Sequence, residues 1–178
     1  MKRGLAMRAS AGSIVLAAGL LLGGCDNTVN PQPVEASGST LCVVDYEVCV
    51  NPIFDAALNG RTGVATCSSG GCHSQASGSG GAFKIHPGAT TGSAEMMANY
   101  FSARSFANLD DPPGSRLLQK PTAGRSAAIG GHAGGDIFPG TTDECHAVIQ
   151  NWIATRVDDA NASVCGSCVP VDVSTCGY

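Results

Sequence analysis

The chain has 178 residues, the size of a single domain with little left over for a second. Its 10 Lys and Arg against 14 Asp and Glu give a net charge of −4 at neutral pH, and no basic patch is present to attract nucleic acid. Nine cysteines in so small a chain point to an oxidising compartment outside the cytoplasm.

Residues 1–24 read as a secretory signal. Lys2, Arg3 and Arg8 form a positive start, Ile14 to Leu22 is an uncharged apolar run, and the run is too short for a committed membrane span. It ends at Leu22-Gly23-Gly24-Cys25, which resembles the bacterial lipobox and implies that Cys25 becomes a lipidated N-terminus; an ordinary signal peptide cut near Cys25 is the other reading, since small residues mark both kinds of cleavage site. Without residues 1–24 the chain keeps 7 Lys and Arg against 14 Asp and Glu, a net charge of −7. Residues 26–40, DNTVNPQPVEASGST, lack apolar periodicity and read as a flexible tether. Its reach is about 20 Å. Cys42 and Cys49 bracket the β-prone stretch Val43 to Val48, which predicts a short stapled strand or hairpin.

The first predicted helix is Asn51 to Leu58, with Asn51 as cap, Pro52 in the first turn and Gly60 as stop. Gly63 to Gly81 is dominated by Gly, Ser and Cys and reads as loop. A helix is expected from Ser93 to about Asn108, broken by Asp110-Asp111-Pro112-Pro113-Gly114, and a short one from Ser115 to Lys120. The strongest is Asp143 to Val157, capped by Thr141 or Thr142, where Cys145, Val148, Ile149, Trp152 and Ile153 make one apolar stripe. Residues 158–178 carry three cysteines and little periodicity, so disulfides are expected to hold this tail.

The chemistry-bearing motif is Cys67-Ser68-Ser69-Gly70-Gly71-Cys72-His73. Two thiols can add to the two vinyl groups of a haem while the following histidine supplies an imidazole to iron; the usual spacing is Cys-x-x-Cys-His, and here four residues separate the cysteines. Glycines and serines make that longer loop pliable. With Cys25 lipidated and Cys67 and Cys72 committed to haem, six cysteines remain: Cys42, Cys49, Cys145, Cys165, Cys168 and Cys176. Six is enough for three disulfides, in any of 15 pairings. Other uses are open to Cys67 and Cys72: a disulfide closing a small loop, or a zinc site shared with Cys165 and Cys168.

The order of elements resembles class I c-type cytochromes, in which a helix leads into a Cys…Cys-His loop and an apolar Trp-bearing helix closes the domain. Residues 51–157 also look like a branch of exported bacterial cytochrome-c-like domains, through Leu117-Leu118-Gln119-Lys120-Pro121, His132-Ala133-Gly134-Gly135 and Trp152-Ile153. The resemblance implies a mainly α fold: a small cytochrome-c-like helical domain around one haem, with disulfide-stapled irregular flanks at 42–50 and 158–178. It implies one covalent haem c on Cys67 and Cys72, with His73 as proximal ligand.

On the distal side the chain departs from many class I members, because no methionine follows Met97. His132 occupies the loop before the last helix and is the expected sixth ligand, against a loop histidine bonded only to backbone; Met96 and Met97 come next but lie on an amphipathic helix. His86 is expected in a surface turn, His146 at the edge of the last helix, and Trp152 beside the haem or in plain core packing. The implied function is electron transfer rather than catalysis, by a lipid-anchored protein facing the periplasm and meeting redox partner proteins. The alternative is a haem-free, disulfide-stapled lipoprotein with a structural or interaction role, which predicts eight cysteines in disulfides.

Overall fold

The computed structural model describes residues 38–178. The expected signal peptide, Cys25 and the tether up to residue 37 lie outside the described residues.

Strand β1 (Ser39–Leu41) opens the described chain and pairs antiparallel with β4 (Arg156–Asp158). The last residues assigned to the tether and to the final helix are therefore a two-stranded ribbon. Leu41 is fully buried, and its carbonyl accepts a 2.7 Å hydrogen bond from the Tyr100 hydroxyl.

The stretch expected to be a strand is helical. Val43–Asp45 (α1), a π turn at Tyr46–Val50 and Asn51–Asp55 (α2) follow one another without a break. The reason for the π turn lies in Pro52, which has no N–H to offer residue 48 and whose ring would crowd that carbonyl. Widening the turn by one residue relieves the clash, and the Asn51 N–H donates to the Tyr46 carbonyl instead. Asn51 is thus not a cap. It is buried, accepting from the Tyr46 hydroxyl at 3.3 Å and from Asn99 Nδ2 at 3.1 Å.

A hairpin follows, β2 (Leu58–Gly60) against β3 (Gly63–Ala65), in place of the expected helix end. The helices α3 (Ala94–Arg104), α4 (Arg116–Gln119) and α5 (Glu144–Ala154) appear where the pattern places them, each shorter than expected. Ser93 caps α3 by accepting from the Met96 N–H. Asp143, not a threonine, caps α5, accepting from the His146 N–H at 2.9 Å; a carboxylate there also meets the positive helix end.

The expected mainly α, cytochrome-c-like helical domain is not formed. Among the described residues only α3 and α5 reach 11 residues, and the rest is short turns and two small sheets. Glycine is the physical cause: ten take a positive φ, which suits turns and costs helix. The N-terminal flank is not irregular either. Tyr46 and Val50 are fully buried, and Tyr46 stacks obliquely on Trp152 at 5.3 Å. Trp152 sits in plain core packing, with Tyr46 and Tyr100 as ring neighbours and its Nε1 donating to the Cys42 carbonyl at 2.9 Å.

Three disulfides use the six cysteines left by the sequence arithmetic: Cys42–Cys165, Cys49–Cys168 and Cys145–Cys176. The first two fasten the tail to the first helical rod, where the buried Asp45 carboxylate also accepts from the Ser167 and Cys168 N–H groups at 2.8 and 2.9 Å. No helix among the described residues is long and apolar enough to cross a membrane.

Candidate functional site

Cys67 and Cys72 are the free cysteines among the described residues. Their loop is built from tight turns that the Ser and Gly residues permit. Ser68 N–H donates to Phe54 O at 3.0 Å and docks the loop on the end of α2. Cys72 N–H reaches Ser69 O at 3.0 Å, and His73 N–H reaches back to Cys67 O at 2.8 Å. That last bond absorbs the two extra residues of the motif: the loop bulges outward while Cys67 and His73 stay adjacent.

The His73 ring is fixed from two sides. Nδ1 lies 3.0 Å from the Phe83 carbonyl, and the Phe83 ring lies 4.8 Å away, centroid to centroid. Gly80 supplies the room, since a Cβ there would collide with His73 Nδ1. The bond to a carbonyl assigns the proton to Nδ1 and leaves the lone pair on Nε2. Burial is the main force holding the His73 pKa below its ordinary value, with the neighbouring His132 adding to it and the Phe83 carbonyl opposing.

His132 comes from a different part of the chain and has the same arrangement. Its Nδ1 lies 2.7 Å from the Gly135 carbonyl, again leaving Nε2 without a proton. The two imidazoles stand face to face across the site, their planes within 10° and their centroids 6.1 Å apart. With Nδ1 of each ring on a carbonyl, each Nε2 keeps a lone pair that can bind a metal ion.

The thiols favour some chemistries over others. Burial pushes the Cys67 thiol up to about 12, with Cys72 and Asp55 adding to the shift. A reactive or catalytic cysteine shows the opposite displacement, because the thiolate is the nucleophile. The zinc reading fails on composition, since Cys165 and Cys168 are both in disulfides. It fails on spacing too: among the described residues the one group of three or more donors within 4.8 Å is Asp143, Cys145 and Cys176, and there both sulfurs are bonded to each other. Cys67 and Cys72, both half-buried, stay unpaired in the loop that carries His73. The two clefts found elsewhere, around Asn161 and around Thr155, share no lining residue with this site.

The remaining candidates have other surroundings. Met96 and Met97 are both residues of α3, Met96 buried in the core and Met97 half-buried against it. His86 is held through its backbone by the Asn99 side chain, at 2.7 and 3.0 Å. His146, expected at a helix edge, is fully buried with neither ring nitrogen partnered, against Phe138 at 6.0 Å. Helical spacing places His146 beside Ile149 and Ile153, three and seven residues on, at the border of the α5 stripe, and Phe138 covers it from outside the helix.

Burial lowers the His146 pKa, Arg125 assists and Asp143 opposes. The unfolded chain then binds this proton more readily than the folded one. The contribution of His146 is fully present above about pH 6.5 and is lost as pH falls below it toward the depressed folded value. His146→Leu removes two unpartnered buried nitrogens and is expected to gain about 1–2 kcal/mol. Urea unfolding at pH 7.5 and 5 checks both points: the variant gains more at pH 5, and an equal or smaller gain there would contradict the assignment.

Comparison with family models, with curated proteins and with solved structures gave no match for this chain.

Proposed function

We propose that this chain is an exported, lipid-anchored, single-haem c-type cytochrome that transfers electrons outside the cytoplasm. The observation that carries the reading is the facing pair His73 and His132, 6.1 Å apart, each with Nδ1 on a carbonyl and Nε2 free. The two free thiols one residue and six residues before His73 complete the set, while every other described cysteine is paired. Chemistry, not architecture, defines this class, so a non-helical surround does not weigh against it.

In this reading Cys67 and Cys72 hold the porphyrin through thioether bonds and His73 is the proximal ligand. His132 would offer the second nitrogen to its iron. The haem supplies one-electron redox chemistry; the protein supplies attachment, orientation and a controlled environment. The carbonyls of Phe83 and Gly135 fix ring orientation and make each imidazole a better donor. Two histidines also favour a lower potential than a His/Met pair, since methionine raises it. Membrane attachment rests on Cys25, and the periplasm is the compartment that suits both the anchor and the disulfides. With a net charge of −7 after processing, the protein suits basic redox partners.

The test is a denatured, reduced pyridine haemochrome spectrum of protein exported from a host with c-type maturation machinery. The wild type should retain a c-type spectrum after denaturation, and a Cys67→Ala/Cys72→Ala variant should lose it. Colourless wild-type protein, with a control cytochrome maturing normally in the same host, sinks the reading in favour of a haem-free lipoprotein.

A further inference from the structure

His132 rides on a long surface segment, and one side chain ties its leading half to the rest of the fold. At the trailing end the segment is well anchored. Ile137 and Phe138 N–H groups both donate to Pro121 O, at 2.7 and 3.0 Å, and Arg61 N–H donates to Asp136 O at 2.8 Å. The leading half is a 3-10 turn, Ser126–Ile129, followed by Gly130 and Gly131, both in the left-handed region at φ +86° and +69°. Ala127, Ala128, Gly130, Ala133 and Gly134 are exposed, so burial contributes little there.

What gathers this half is Lys120, at the end of α4. Its Nζ donates to the Ile129 carbonyl at 2.7 Å and to the Gly131 carbonyl at 2.5 Å. The two left-handed glycines turn the chain so that carbonyls two residues apart converge on one ammonium, an arrangement that a β-carbon at either position would strain. Charge-assisted bonds of this kind are the strong ones, and these end on the residue directly before His132.

We infer that Lys120 is a positioning residue for His132: its ammonium, bound to the carbonyls of Ile129 and Gly131, holds the loop so that the imidazole faces His73. This rests on the haem reading above and adds to it how the distal face is kept closed. Without the clamp the loop samples open states, and the distal position becomes available to small exogenous ligands. Segments with few buried contacts and exposed backbone are the ones that open locally.

The test uses the haem-loaded, full-length protein as wild type, Lys120→Met, Lys120→Arg and Gly130→Val, with His132→Ala as the open-distal reference. Lys120→Met keeps the aliphatic stem and removes the ammonium. Gly130→Val leaves Lys120 in place and disturbs the carbonyl turn from an exposed position. Three readouts are taken: covalent haem content, ferric spin state and carbon monoxide affinity of the reduced protein. Lys120→Met and Gly130→Val should keep wild-type haem content, gain high-spin character and bind carbon monoxide about tenfold more tightly or better, since a weakly populated competent state becomes common. Lys120→Arg should recover part of the wild-type behaviour.

Low-spin, carbon-monoxide-inert Lys120→Met and Gly130→Val proteins with full haem content overturn the inference and leave the haem reading standing. If Lys120→Met does not fold, Gly130→Val alone decides. A wild type without covalent haem is the distinct failure, that of the functional reading; in that case faster amide exchange at Gly131 to Gly135 in Lys120→Met still supports the clamp, and unchanged exchange overturns it.

Discussion

Removing both long-range disulfides together is expected to cost about 8 kcal/mol, while removing either alone costs about 3. The bridges Cys42–Cys165 and Cys49–Cys168 close separations of 123 and 119 residues. They lie side by side, joining the same helical rod to the same turn of the tail. While one is intact, the other closes only the short ring between Cys42 and Cys49 and between Cys165 and Cys168, on the order of ten residues, and contributes correspondingly little. Once the first is gone, the second alone carries the closure of more than a hundred residues. The Asp45 carboxylate, bonded to the Ser167 and Cys168 N–H groups, helps a single bridge keep the tail docked.

A whole domain of this size has a stability of about 5–15 kcal/mol, so the four-alanine variant should be largely unfolded at 37 °C. Urea unfolding of Cys42→Ala/Cys165→Ala, Cys49→Ala/Cys168→Ala and the combined variant measures the three losses. The combined loss should exceed the two single losses together by about 2 kcal/mol. Strictly additive losses would mean that the bridges act independently and that the shared-ring argument is wrong.

Some of this architecture is legible in the sequence, and the reasons differ by element. The number of disulfides follows from parity once Cys67 and Cys72 are set aside, but the pairing depends on where the tail docks, which no local signal carries. Helix α5 is legible because its apolar stripe repeats at helical spacing, and α3 because Ser93 is a good cap before a run of helix formers. The stretch after Cys42 reads as a strand because Val, Cys and Tyr favour strands, whereas burial of Tyr46 and Val50 against α3 and α5 overrides propensity. The β1–β4 ribbon has three residues a side, too few for alternation to register. At the candidate site, residue identities are readable and their support is not. Nothing local announces that Phe83 and Gly135 offer carbonyls to the two histidines, or that Lys120 reaches across to residues 129 and 131.

Gly80→Ala is expected to displace His73 and cost about 1–3 kcal/mol, while Gly71→Ala in the same loop changes little. A methyl group on Gly80 would collide with His73 Nδ1 and stand 2.6 Å from its Cε1 and 2.7 Å from the Cys72 carbonyl oxygen. The ring can move but the carbonyl is backbone, already accepting from the Gly80 N–H at 2.7 Å. The turn between Cys72 and Gly80 must open to clear the carbonyl, and the imidazole is pushed off the Phe83 carbonyl and the Phe83 ring. At Gly71 a methyl carbon would meet no atom within 4 Å, and the backbone there has no positive φ. Alanine therefore fits at Gly71, within about 0.5 kcal/mol.

The pair of variants separates two accounts of His73. If the imidazole is an ordinary turn side chain, Gly80→Ala still costs stability through the Cys72 carbonyl but leaves the spin state of the haem-loaded protein unchanged. If it is an iron ligand held in place by its surroundings, Gly80→Ala lowers the urea midpoint and shifts the haem-loaded protein from low to high spin. Gly71→Ala should leave both readouts at the wild-type level. A stable, low-spin Gly80→Ala protein would show that the ring does not need the position in which the Phe83 carbonyl holds it.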